Sequence, residues 1–286
     1  MFTLSIENEN GQKIQLSQNE SNYQVTNIDG LNPTKANINT NKVVNMDGAM
    51  FKSSKLDMRN IVITLKVKGD IEKNRINLYQ IFNVGKKLKL YYSNETRSIW
   101  VECYCENIIT NLFSQTEEMQ ISLICPSPFL SNIEKAVSDL SKVVKKFSFP
   151  FSLPAEGSVL SGIDLDKTTT ILNSGEGETG LIITIYSRGE EVENPIIFNA
   201  GTGEAFKLET VLNDSDFIVV NTNKGNKSVI KYSNGTEENL LSKVTPDSVW
   251  LQLKQGYQNF TYTTQNKNKD YLLTVSFEYN IVYEGV

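Results

Sequence analysis

Apolar and polar residues alternate in short runs along almost the whole chain, and turn signals break the runs apart. A period of two puts successive side chains on opposite faces, which is the pattern of a half-buried β-strand. The clearest run is Arg59–Val67, where Ile61, Ile63, Leu65 and Val67 share one face and Val62, Thr64 and Lys66 the other. Before it, Phe2–Ile6 alternates and Asn10-Gly11 follows as a hairpin turn, with Lys13–Leu16 as the return strand. Tyr23–Ile28 and Lys35–Val44 read as further strands, and Asp47-Gly48 as another turn.

One segment departs from the period of two. Asp70 is a helix N-cap, and Ile71, Leu78, Tyr79, Ile81 and Phe82 lie at helical spacing. The spacing predicts a helix within 70–85, running from Ile71 to Val84 and stopped by Gly85. Strands resume at Lys87–Tyr92, continue through Arg97–Thr110, and return as Met119, Ile121, Leu123 and Cys125 before Pro126 and Pro128. Residues 1–130 therefore read as an α+β or split-barrel domain with one helix between antiparallel strands.

Residues 131–166 change character and read as a linker. Ile133, Ala136, Val137, Leu140, Val143 and Val144 suggest a short amphipathic helix or an irregular connector, and Phe147–Pro154 an extended stretch. From 167 to 286 nine short strands are predicted between turns at Gly175/Gly177/Gly180, Gly201/Gly203, Asp214, Gly225, Asn234-Gly235 and Gly256. Among them are Leu181–Ser187, Phe217–Asn221, Ser248–Leu253 and Tyr271–Tyr279, a spacing that suits a β-sandwich or jelly roll. A length of 286 residues suits two such domains.

The chain has no histidine. That removes Ser-His-Asp and Cys-His catalysis, the usual zinc sites and the commonest general base. Cys103, Cys105 and Cys125 are too few and too irregular for a disulfide framework and read as core. Ser174–Gly180 is glycine-rich but lacks the lysine of a phosphate loop, so it reads as a turn. Asp164 and Asp166 lack calcium-loop spacing, and Glu190, Glu191 and Glu193 read as a solvated edge rather than a glycosidase pair. Trp250, Tyr257, Phe260 and Tyr262 could stack on sugars, although Trp250 reads first as core. No catalytic, cofactor-binding or metal-ligating set is predicted, and no enzyme.

Charge adds one constraint. Residues 1–135 hold 15 basic and 14 acidic side chains and the remainder 13 and 19, giving +1 and −6, the total of −5. An acidic second half argues against sequence-specific binding of nucleic acid. There is no apolar run long enough to span a membrane and no signal peptide, so synthesis in a cytoplasm is expected.

Taken in order, a set of short motifs resembles the phage distal tail protein family. In the first half these are Asp29-Gly30-Leu31, Asp47–Phe51, Arg59–Ile63, the 70–85 segment with Asn74-Arg75 and Leu78-Tyr79, Leu90–Tyr92, Arg97, Asn111–Ser114 and Ile124–Phe129. In the second they are Leu172–Glu176, Pro195–Asn199, Thr202–Glu204, Trp250–Leu253, Gly256 and Tyr283–Val286. The resemblance implies an N-terminal split β-barrel with one helix and a C-terminal galectin-like β-sandwich. It implies a homo-hexameric, non-enzymatic ring at the tail tip of the virion, assembled in the host cytoplasm, with a central channel for DNA. Its partners would be the tail tube protein and the tail-associated hub or lysin protein, with tape measure and receptor-binding proteins as further neighbours. The alternative is a carbohydrate-binding adsorption module of the tail tip.

Overall fold

The computed structural model describes residues 2–17, 22–42, 47–112, 117–139, 142–145, 161–164 and 168–286, of which 142–145 and 161–164 as backbone only. The chain divides into two units, Met1–Ile133 with Val282–Val286, and Glu134–Ile281.

The strands of the first unit are β1 (Thr3–Asn8), β2 (Lys13–Leu16), β3 (Tyr23–Asp29), β4 (Ala36–Asn41), β5 (Met50–Leu56), β6 (Arg59–Val67), β7 (Lys87–Ser93), β8 (Ser98–Thr110), β9 (Glu118–Cys125) and β10 (Leu130–Asn132). Helix α1 (Ile71–Ile81) lies between β6 and β7. The main sheet runs β2-β1-β7-β8-β9-β6-β3. Its outer strands β2 and β3 meet only at a bridge between Ser17 and Gln24, so no continuous ladder closes the barrel. Inward side chains of the alternating strands, among them Leu4, Ile6, Ile61, Ile63, Leu65, Leu90, Ile121 and Leu123, fill one core. Each such burial contributes about 1.5–3 kcal/mol before entropy is counted.

Asp70 caps α1 by accepting the Lys73 N–H at 3.5 Å. The helix ends at Ile81, short of the expected Val84, with Phe82 as its C-cap. Beyond that point the Gly85 N–H, at φ +79°, donates to the Cys105 carbonyl rather than to a helix carbonyl. The buried stripe is also narrower than predicted. Leu78, Ile81 and Phe82 join the core, whereas Ile71 and Tyr79 are exposed.

A buried arginine organises one end of this unit. Arg59 is 1% exposed. Its Nε and Nη2 donate to the Pro128 carbonyl at 3.1 and 2.8 Å. Nη1 donates to Gly30 and Asn32, and Nη2 also to Glu284. All five guanidinium N–H groups therefore have acceptors. Burial lowers the Arg59 pKa, and the nearby Cys125 and Glu284 act in the opposite direction. Gly30 makes the arrangement possible, because at φ +87° an added Cβ would lie 1.9 Å from the Asn60 carbonyl oxygen.

The second unit contains β11 (Ala136–Asp139), β12 (Lys142–Lys145), β13 (Ser161–Asp164), β14 (Thr168–Asn173), β15 (Thr179–Ser187), β16 (Val192–Glu193), β17 (Ile196–Asn199), β18 (Ala205–Lys207), β19 (Val211–Leu212), β20 (Phe217–Asn221), β21 (Ser228–Ser233), β22 (Thr236–Asn239), β23 (Gln252–Leu253), β24 (Gly256–Thr263) and β25 (Leu273–Tyr279). The last strand, β26 (Val282–Tyr283), belongs to the first unit. One sheet runs β11-β25-β15-β20-β21-β22, another β14-β24-β17-β18. Side chains from both, including Ile183, Ile197, Phe206, Ile218, Phe260 and Phe277, form one sandwich core. The fold is mainly β throughout, as the alternation predicts.

Two expectations are corrected here. Ala136–Asp139 is neither helix nor linker but a strand paired with β25, and Val282–Val286 leaves the second unit to pair with the first. Phe147–Pro154 lies outside the described residues. The predicted strand Ser248–Leu253 shrinks to β23, because Ser248 and Val249 instead bond Lys207 and Ala205.

A buried ion pair tests polar satisfaction in the sandwich. Asp216 lies 3.0 Å from Lys231, and Lys231 also donates to the Val211 carbonyl. Burial would raise the Asp216 pKa, but hydrogen bonds from Ser233, the Asn213 N–H and Lys231 outweigh it and the net shift is downward. A carboxylate with a lowered native pKa stabilises fully above its ordinary pKa and loses that contribution as pH falls toward the native value. Denaturant unfolding should therefore show an acid-dependent loss in the second unit that Asp216→Asn reduces, the remainder coming from Asp247, whose pKa is lowered to about 2 by Lys207 and Thr245. Arg59→Leu strands four carbonyls and should destabilise the first unit by about 3 kcal/mol or more. An effect below about 1 kcal/mol would contradict the clamp.

Candidate functional site

The residues weighed as candidate chemistry lie apart or are partnered among the described residues. Cys103, Cys105 and Cys125 are all buried free thiols. Burial pushes the Cys105 thiol up to about 11. Its hydrogen bond with Cys125, and then burial, push Cys103 up as well. Thiols held neutral are poor nucleophiles and poor metal ligands. Among the described residues no group of three or more acidic, cysteine or histidine side chains could hold a metal. Asp166 lies outside the described residues, and Asp164 is described only as backbone. No helix among the described residues is long and apolar enough to cross a membrane.

The glycine-rich loop 174–180 is a turn built by a side chain. Buried Asn173 accepts the Gly175 N–H at 3.0 Å and donates to the Gly177 and Leu253 carbonyls. Glu190 pairs with Lys269 at 3.4 Å, and Lys269 donates to the Glu191 carbonyl, so this acidic stretch is a partnered surface edge. The cleft beside it, lined by Glu191, Glu193, Thr264, Asn266 and Lys269, encloses about 100 Å³. That is well below the volume of a typical ligand pocket.

The aromatic cluster separates by face. Phe260 and Tyr262 point into the core, and Tyr257 points outward at 76% exposure. Half-buried Trp250 packs on Phe206, ring centroids 5.1 Å apart, with the Lys227 ammonium 5.1 Å from its own ring.

What the first unit does leave open is a hairpin. Strands β4 and β5 pair only with each other and form no ladder with the main sheet. Their register puts Ala36, Ile38 and Thr40 on the same face as Leu56, Ser54 and Phe51, with a bulge after Asn39. Ile38 and Phe51 are 62% and 66% exposed, and Met50 and Met58 are exposed nearby. The opposite face carries Asn37, Asn39, Lys55 and Ser53. Residues 35–57 hold four lysines and two aspartates, net +2. An isolated two-stranded hairpin is marginal in water, and an amphipathic one exposes its apolar face until something covers it. Only β4 falls within a predicted strand. Alternation is weak across Met50–Leu56, and the turn at Asp47-Gly48 was the one available signal.

The mainly β chain thus presents an open barrel-like sheet, a sandwich and a hairpin outside the main sheet. Residues 9–125 match the profile of the phage tail protein RIFT-related domain family. The crystal structure of phage SPP1 Dit (gp 19.1), described as a paradigm of the hub adsorption apparatus in phages infecting Gram-positive bacteria, superposes with a TM-score of 0.70. It shares 12% identity, and the alignment covers 99% of each chain. The phage P2 baseplate in its activated conformation, with calcium or with strontium, gives a TM-score of 0.52 at 12% identity, covering 100% of each chain. No match is found among curated protein sequences. Residues 9–125 thus carry a phage tail protein domain, and the whole chain has a Dit-like fold. The tail-protein domain and the full-length Dit-like fold together support the phage distal tail protein family, the family the sequence resembles.

The facing of the aromatics has a direct test. Phe260→Ala should cost about 3–5 kcal/mol in denaturant unfolding, and Tyr257→Ala less than about 0.5. Equal costs would contradict the assignment.

Proposed function

We propose that the chain is a distal tail subunit that closes into a homo-hexameric ring at the tail tip. In this reading the ring joins the tail tube protein to the tail-associated hub and leaves a central channel for DNA. Tape measure and receptor-binding proteins are its further neighbours. The ring is assembled in the host cytoplasm and works by geometry, without catalysis.

The observation that carries the reading is the hairpin. A ring of like subunits needs a heterologous contact, in which one surface of each copy meets a different surface of the next. The apolar face bearing Ile38 and Phe51 is a surface that one copy leaves uncovered. The net charge of −6 beyond residue 135 suits passage of DNA without adhesion. The carbohydrate-binding alternative rests on Tyr257 and half-buried Trp250, because Phe260 and Tyr262 are spent in the core.

Light scattering on the purified protein should give a hexamer, and negative-stain images a ring with a central hole. Phe51→Asp and Ile38→Asp should leave the circular dichroism spectrum and the unfolding midpoint almost unchanged, since both side chains are exposed, yet yield monomers. Hexamers that survive both substitutions would remove the hairpin from the interface.

A further inference from the structure

The segment Val282–Val286 follows the second unit in sequence but belongs to the first. Its contacts there are dense. Tyr283 and Val282 pair with Leu130 and Ser131. The Glu284 carbonyl takes one of the five Arg59 donors. Arg97 donates to the Gly285 carbonyl, and its guanidinium lies 4.2 Å from the centroid of the Tyr283 ring. The Val286 N–H reaches the Leu31 carbonyl at 3.3 Å. Gly285 packs so closely that an added Cβ would sit 2.9 Å from Pro33 Cδ and 3.3 Å from the Leu31 carbonyl oxygen.

Most of these contacts are made by backbone atoms of the segment, and a buried cation waits for one of them. Without the segment, one Arg59 N–H would face a low-dielectric interior with no acceptor, and β10 would lose one of its two neighbouring strands. The chain is synthesised from its N-terminus, so 282–286 appears only after 134–281 has been made. We propose that Val282–Val286 is a folding checkpoint. The first unit reaches its full stability only when the segment made after the second unit has docked, so a subunit with an unfinished second unit is held back from assembly. The proposal goes beyond the ring reading and does not need it, because the stability of the first unit is measurable in a single copy.

The test compares three preparations by amide hydrogen exchange: the intact chain, a variant lacking only 282–286, and Gly285→Val, which blocks docking against Pro33 while keeping every other residue. Protection in β6, β8 and β9 should fall roughly tenfold or more in both variants, with protection in β15, β20 and β25 unchanged. A synthetic peptide spanning Asn280–Val286, added to the truncated chain, should restore protection in the first unit. The proposal is overturned if truncation leaves β6, β8 and β9 protected as in the intact chain. It is equally overturned if the peptide restores nothing, or if Gly285→Val behaves as the intact chain.

Discussion

A guanidinium removed from water keeps its charge and must find an acceptor for every N–H. Arg59 meets that requirement with carbonyls from Gly30, Asn32, Pro128 and Glu284. These come from the turn after β3, the turn before β10 and the segment beyond the sandwich. One side chain at the start of β6, between β9 and β3 in the sheet, thus holds together three connections that share no strand ladder with it. Gly30 has to be glycine for its carbonyl to arrive, and Gly285 packs where no side chain fits.

The sandwich uses the same device with neutral groups. Asn173 ties the loop 174–180 to the Leu253 carbonyl. Buried Thr222 accepts the Leu181 N–H and donates toward the Leu181 and Leu251 carbonyls. Gln252 donates to the Thr222 carbonyl. In both units hydrophobic alternation builds the sheets, and a few buried polar side chains decide how the connections between strands are seated. Removing one such side chain exposes several unsatisfied carbonyls at once, which makes these positions more sensitive than a single core methyl.

This division explains what was legible in the sequence. Strand identity and core faces in Arg59–Val67, Leu181–Ser187 and Phe217–Asn221 are local, and period-two alternation states them directly. The Asp70 cap is local too. The helix end was not legible, because Gly85 bonds Cys105, twenty residues away. The strand at Ala136–Asp139 was hidden because its partner, β25, lies near the other end of the chain. The role of Arg59 was invisible because backbone carbonyls leave no mark in a sequence. Yet the motifs that carried the family resemblance, Asp29-Gly30-Leu31, Arg59-Asn60, Ile124–Phe129 and Tyr283–Val286, are the pieces that meet at this guanidinium. Likewise Leu172–Glu176 and Trp250–Leu253 meet at Asn173.

Among the described residues of the first unit, the β4–β5 hairpin stands outside the main sheet with Ile38 and Phe51 exposed on one face. The central claim is that another copy of the chain supplies the missing cover. Amide exchange across Ala36–Asn41 and Met50–Leu56, read in the dilute monomer and in the assembled particle, tests this directly. The account predicts fast exchange in the monomer, at the rate of a marginal two-stranded hairpin, and slowing by at least about a hundredfold on assembly. Equal exchange in both states would mean that the hairpin stays bare on assembly and that any contact between copies lies elsewhere.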